Sequence, residues 1–225
     1  MFKKLLKKAR KKWRLRNFHF FGLRILRQER ALPLDVRNIG KVAIYVRQVD
    51  RVKDVSGAFV ECGVWKGRTL LMLAALGGPN RTVWGFDSFQ GFPELSTHDM
   101  KESAEREHFR DTSLPMVQKF LAFNKVSSRL VSGFFRDTLP KHKREIGLIA
   151  LLCLDCDIYD SYQCCLEELY DSVAPGGVIL LDEYKGEYEY RKWPGAAKAV
   201  DEFCTARSLS IVDGGGKSII IKPRT

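Results

Sequence analysis

No stretch of the 225-residue chain approaches the roughly 20 apolar residues that a membrane-spanning helix needs. No apolar run of about 7–15 residues follows the first positive charges, as a secretory leader would require. A cytoplasmic location is therefore expected. The six cysteines include one Cys-x-x-Cys pair, Cys153 and Cys156, but no second Cys or His pair answers it, so a zinc knuckle is not expected. Cys153 stands inside an apolar run. Buried reduced thiols are the better account and suit a reducing compartment. Internal repeats and low-complexity tracts are also lacking, which leaves one large domain, or a domain with an appendage, at this length.

Charge is plentiful but lopsided. The formal net charge is +11, and residues 1–30 carry all of it through twelve Lys or Arg and a single acid, Glu29. The remaining residues are neutral in sum. Phe2, Leu5, Leu6, Ala9 and Trp13 fall near one helical face, with Lys3, Lys4, Lys7, Arg10, Lys11 and Arg14 around them. A basic amphipathic helix over residues 1–16 suits an anionic membrane surface at the inner face of the membrane. It equally suits packing on the domain or on a second subunit of a homo-oligomer. A nucleic acid could take phosphate contacts only from this tail, so it is not expected as a partner. The chain divides into a basic N-terminal extension, residues 1–30, and one domain over residues 31–225.

From residue 57 an apolar strand, a turn and a helix-period segment recur. Strands are expected at Ala58–Cys62, Thr82–Phe86, Arg129–Ser132, Leu148–Leu154 and Val178–Leu181. Helices are expected at Arg68–Leu76, Pro115–Lys125, Ser161–Val173 and Ala196–Ala206, with Ala174-Pro-Gly-Gly177 as a turn. Two last strands, Ser210–Val212 and Ser218–Ile221, flank three glycines and read as an antiparallel hairpin. The fold class is α/β: a doubly wound, mostly parallel, Rossmann-like seven-stranded sheet with a C-terminal antiparallel hairpin. Residues 95–113 are polar and follow the second strand. A connection of that length is expected to act as a lid over substrate, with a disordered insert as the alternative.

Parallel sheets bind ligands beyond the carboxyl ends of their strands. The first strand ends Glu61-Cys62-Gly63-Val-Trp65-Lys-Gly67. Its glycines permit a sharp turn, the following helix N-terminus suits an anion, and Glu61 suits an ammonium group. The second strand ends Asp87-Ser88, placing an acid about 20 residues on, where ribose hydroxyls are bound. Together these favour an adenosine cofactor. The third strand ends Gly133-Phe134, where Phe134 can stack on adenine or serve as a core aromatic. Asp155 and Asp157 follow the fourth strand, and Asp182 and Glu183 the fifth. Carboxylates that converge there are costly unless a cation joins them, with Mg²⁺ the usual choice beside a substrate oxygen. The alternative has Asp155 and Asp157 capping the helix at Ser161, with Asp182 exposed.

The strings Val60-Glu-Cys-Gly-Val-Trp-Lys-Gly67, Gly85-Phe-Asp-Ser-Phe-Gln-Gly-Phe-Pro-Glu94, Asp137-Thr-Leu-Pro140, Leu154-Asp-Cys-Asp-Ile-Tyr-Asp-Ser161 and Pro175-Gly-Gly-Val-Ile-Leu-Leu-Asp182 stand in an order that resembles the macrocin and mycinamicin O-methyltransferase family. The match runs over about residues 35–222. The resemblance implies a class I methyltransferase that uses S-adenosylmethionine and Mg²⁺ on a sugar hydroxyl of a glycan or glycosylated small molecule. It implies metal ligands at Asp155, Asp182 and Glu183, and cofactor contacts at Glu61, Gly63, Asp87 and Phe134. Cys62, Trp65, Gly67, Ser88 and Gly133 complete the expected cofactor set, and Asp155 or Asp157 is the expected general base. The family pattern after the fifth strand is two aspartates, so Glu183 departs from it by one carbon. Two readings without methyl transfer compete: an Fe-dependent hydroxylase-like enzyme and a membrane-associated scaffold. The first expects a His ligand, and no His lies in the strand-four or strand-five motifs. The second is countered by intact acids at 61, 87, 155 and 182.

Overall fold

In the computed structural model, which describes residues 18–20, 23–25, 39–184 and 191–224, the expected alternation of strands and helices closes into one seven-stranded sheet. Its strands are Ala58–Cys62 (β3), Val83–Asp87 (β4), Arg129–Ser132 (β5), Ile149–Leu154 (β6), Val173–Leu181 (β7), Ile211–Asp213 (β8) and Ser218–Ile221 (β9). The order across the sheet is β5-β4-β3-β6-β7-β9-β8. Strands β5 to β7 run parallel, whereas β9 lies antiparallel to both β7 and β8. A separate antiparallel hairpin pairs Phe18–Phe20 (β1) with Leu23–Ile25 (β2). The amphipathic segment expected over residues 1–16 lies outside the described residues.

Strand β6 shows why the sheet forms. All six of its residues are buried, as expected for a parallel strand covered on both faces. Leu152 and Leu154 join a cluster with Tyr162, Leu166 and Val200. Leu151 and Cys153 point the other way and join Leu70, Leu73 and Val117. The helices that supply these partners are Arg68–Gly77 (α2) and Leu114–Phe123 (α4) on one face, and Tyr159–Leu169 (α6) and Pro194–Ala206 (α7) on the other. Among the described residues, no helix is long and apolar enough to cross a membrane.

Three expectations shift. Helices Ile39–Arg51 (α1) and Phe135–Ile146 (α5) occupy stretches to which the sequence reading assigns no helix. The second carries Pro140 in its interior, a residue that normally argues against helix. The helix expected over Ser161–Val173 starts earlier, at Tyr159, and ends at Leu169. A 3₁₀ turn over Tyr170–Ser172 then leads into β7, which begins at Val173 and includes the Ala174-Pro-Gly-Gly177 stretch expected as a turn. The reason is an irregularity in the ladder. Ile149 pairs with Val173 but Leu151 pairs with Val178, so the β7 side carries extra residues. The segment over 95–113 contains a short helix, Lys101–Glu107 (α3).

The chain runs from β3 to β4 and β5 on one side, then returns to β6 on the other. At such a reversal the connections diverge and leave a crevice above the carboxyl ends of the strands.

Candidate active site

A cleft of about 850 Å³ opens at this reversal. Glu61, Gly63, Trp65, Asp87, Ser88, Gly133, Phe134, Asp155 and Asp157 all line it. The structure does not bring the Cys62 side chain there. Alternation along β3 turns it away from Glu61 into the core beside Tyr162 and Cys165. What Cys62 contributes is a carbonyl that accepts the Asp155 N–H at 2.9 Å. Gly67, Asp182 and Glu183 also stand outside the cleft lining, the last two immediately behind Asp155.

The turn after β3 is shaped by its glycine. Gly63 has φ +97°, and a Cβ there would lie 1.7 Å from the Asp155 carbonyl oxygen, so the ends of β3 and β6 pass too closely for any side chain. Past it, Gly67 caps α2 without any side-chain bond, which leaves the N–H groups of the first turn to other partners. Asp87 holds this turn from the neighbouring strand. Its Oδ2 accepts the Trp65 N–H at 2.7 Å and its Oδ1 accepts the Phe89 N–H at 2.6 Å. Burial pushes the Asp87 carboxyl above its ordinary range, opposed by these backbone bonds. Each oxygen retains lone-pair capacity for a ligand hydroxyl.

Glu61 is only 1% exposed, and its Oε2 has no hydrogen-bond partner. Burial, and then the charge of Asp155, push its carboxyl well up, with Lys41 opposing. A buried carboxylate with an unmet oxygen costs free energy until a cation or donor reaches it. An ammonium group entering the cleft is such a donor.

Ligand oxygens of Asp155, Asp182 and Glu183 lie within 4.8 Å of one another. Burial, followed by Asp182, raises the Asp155 carboxyl to about 6. Burial and Asp155 push Glu183 well up. The Tyr162 hydroxyl donates to Glu183 Oε2 and lies 2.9 Å from the Leu154 carbonyl, which fixes the longer side chain in place. Asp182 Oδ2 pairs with Lys217 at 3.0 Å, while its buried Oδ1 accepts no hydrogen bond. An oxygen-only set with an unmet buried oxygen fits a hard divalent cation. Asp157 stands apart from this trio, buried at φ +63°. Neither Asp155 nor Asp157 is the capping residue of α6, since the residue before that helix is Ile158, whose own side chain offers no cap.

That end of α6 is served instead by a residue the motifs left unmarked. Asp99 Oδ1 accepts the Tyr159 N–H at 2.9 Å, and Oδ2 accepts the Ser96 hydroxyl at 2.7 Å. Asp111 accepts from the Trp65 indole at 2.7 Å and from Lys66 at 2.5 Å, and Thr112 donates to the Trp65 carbonyl at 2.5 Å. The 95–113 segment is therefore tied at one end to the helix after β6 and at the other to the turn after β3. His98 packs edge-on against Tyr159. The signal for Asp99 was faint, a Ser-x-x-Asp turn of ordinary kind. Its partner lies 60 residues away.

Comparison with known proteins agrees with this layout. The sequence model of the macrocin O-methyltransferase (TylF) family matches residues 28–212. The 8-demethyl-8-(2,3-dimethoxy-α-L-rhamnosyl)-tetracenomycin-C 4'-O-methyltransferase of Streptomyces olivaceus is 34% identical over 142 residues, 58% of this chain and 54% of that protein. The mycinamicin III 3''-O-methyltransferase of Micromonospora griseorubida is 32% identical over 168 residues, 66% of this chain and 65% of that protein. The matched region thus spans between about half and two thirds of these curated relatives. Among solved structures, the O-methyltransferase NovP superposes with a TM-score of 0.71 at 27% identity, covering 83% of this chain and 81% of that one.

Proposed function

The chain belongs to the macrocin O-methyltransferase family, and from that premise we propose that it transfers the methyl group of S-adenosylmethionine to a hydroxyl of a sugar-bearing small molecule or glycan, with Mg²⁺ at the carboxylate centre. The observation that carries this reading is the pairing of two unmet needs in one place. The buried, unpartnered Glu61 Oε2 faces a cleft fit for a cofactor's ammonium group, and the Asp155–Asp182–Glu183 cluster behind it calls for a cation. The compound named for the Streptomyces olivaceus relative carries a rhamnosyl group, which supports the acceptor class.

In this reading Glu61 takes the ammonium group and the N-terminal end of α2, which Gly67 caps without a side chain, suits the carboxylate. Asp87 accepts from the ribose hydroxyls, and Phe134 stacks on adenine beside Gly133 and Ser88. Mg²⁺ held by Asp155, Asp182 and Glu183 would supply Lewis acidity for the acceptor oxygen. Asp157 is the base. It lines the cleft outside the trio; burial, followed by the charge of Asp155, pushes its carboxyl well up, so it serves as a base only once ionised, a state that a cation held by the trio would favour. When bound, S-adenosylmethionine would supply an electrophilic methyl group to the acceptor oxygen, and Asp157 would accept the proton that the acceptor hydroxyl gives up. Much of the rate comes from alignment, an effect that can reach about 7–11 kcal/mol. The 95–113 segment, held by Asp99 and Asp111, serves as the lid.

The test is a glycan screen for methyl transfer with and without Mg²⁺, paired with titration of S-adenosylhomocysteine. Asp155→Ala should lose turnover by about 10²–10³-fold, on the scale of losing an electrostatic transition-state contact, while cofactor affinity stays within a few-fold. Full turnover by Asp155→Ala in a chelator would sink the metal-assisted reading.

A further inference from the structure

The carboxylate centre faces two cations supplied by the chain itself. Lys217 Nζ lies 3.0 Å from Asp182 Oδ2 and 2.5 Å from the Asp182 carbonyl oxygen. Lys41, in the first turn of α1, lines the cleft with its Nζ 3.9 Å from Asp182 Oδ1, the buried oxygen that accepts no hydrogen bond. The two lysines are held differently. Lys217 has two acceptors at hydrogen-bonding distance and its side chain is 16% exposed. Lys41 approaches the same residue at a distance too long for a hydrogen bond, and its side chain is 45% exposed. A lysine so placed, on a flexible four-carbon stem, can withdraw into solvent once a divalent cation takes over its part in offsetting the charges of Asp182, Asp155, Glu61 and Glu183.

We infer that Lys41 is a built-in competitor for the divalent cation at Asp182 Oδ1, and that its ammonium group must swing out along the cleft for that cation to bind. This rests on the metal-assisted reading above. The physical ground is that an ammonium and a divalent ion cannot share one carboxylate oxygen without repelling each other. Lys217, being bonded to the backbone carbonyl as well, stays and holds Asp182 in orientation. Helix α1 thereby gains a place in the site that its sequence does not announce. Its first turn sets how tightly the centre takes up metal.

The experiment uses the full chain and Mn²⁺ as probe, followed by electron paramagnetic resonance, so that no turnover is needed. An ammonium that must leave Asp182 Oδ1 before the ion can bind there handicaps affinity roughly tenfold, equivalent to about 1.4 kcal/mol. Lys41→Gln should therefore bind Mn²⁺ about tenfold more tightly than wild type, and Lys41→Arg, which keeps the charge, should stay within about threefold of wild type. In an Asp182→Asn background the Lys41→Gln gain should disappear. Wild-type binding with no gain, or a loss, in Lys41→Gln overturns the competition and leaves the metal reading standing. A gain that persists in Asp182→Asn also overturns it. No Mn²⁺ binding by either wild type or Lys41→Gln overturns both.

Discussion

Asp87 answers to two demands through one carboxylate. Both of its oxygens accept backbone N–H groups, from Trp65 and Phe89, so the side chain shapes the turn after β3 before any ligand arrives. The ribose role proposed for it adds a third claim on the same atoms. Hydrogen bonds to a charged group contribute about 1.5–3 kcal/mol each. Asp87→Ala is therefore expected to lower S-adenosylhomocysteine affinity by about 100-fold in calorimetric titration. An affinity within threefold of wild type would reduce Asp87 to a residue that only shapes the turn after β3. Its position at a strand end could be read from the sequence, because an acid after an apolar strand at this spacing has few other uses. That it also builds the turn could not, because its partner Trp65 is 22 residues away in the chain. Lys41 was invisible for the same reason. Nothing in its neighbourhood of sequence points to Asp182.

At the scale of elements, the decisive contact is between the ends of β3 and β6. Gly63 is the only kind of residue that fits there, by its φ of +97° and by the 1.7 Å clearance to the Asp155 carbonyl. Gly63→Ala should cost roughly 3 kcal/mol or more, since both backbone strain and a clash with backbone are imposed. For a chain of this size that is a melting-temperature loss of roughly 6–12 °C, measurable by calorimetry. A loss under 2 °C would mean the strand ends part more easily than their packing suggests. Strands were the legible elements, because unbroken apolar runs such as Ile149–Leu154 have one plain use in an α/β fold. Helices α1 and α5 were not. The sequence reading assigns no helix to either stretch, and α5 tolerates an interior proline. The 95–113 segment was legible as a long polar connection. Its two anchors, Asp99 and Asp111, became evident only once α6 and the β3 turn were placed beside it.

Across the whole molecule, the carboxylate centre trades stability for chemistry. Burial and the neighbouring Asp182 raise the Asp155 carboxyl from 3.8 to about 6. A folded value above the unfolded one means that the native state holds the proton more tightly. The cost of ionising Asp155 is thus absent below the unfolded value, grows as pH rises from 3.8, and is fully present above about 6. In a chelator, Asp155→Asn should therefore melt a few degrees above wild type at pH 8, and the gain should shrink towards pH 4.5. An equal gain at both values would contradict this origin. The sequence by itself determined the sheet, the sharp turn after β3 and the charge split between residues 1–30 and the neutral remainder, since hydrophobic periodicity, glycine at a sharp turn and net charge are local properties. Tertiary structure alone decided that Cys62 faces the core, that Asp157 stands clear of the Asp155–Asp182–Glu183 trio, and that Lys41 reaches Asp182. Those outcomes depend on which strand face and which helix end meet across the cleft. Such distances arise only when segments far apart in the chain pack together.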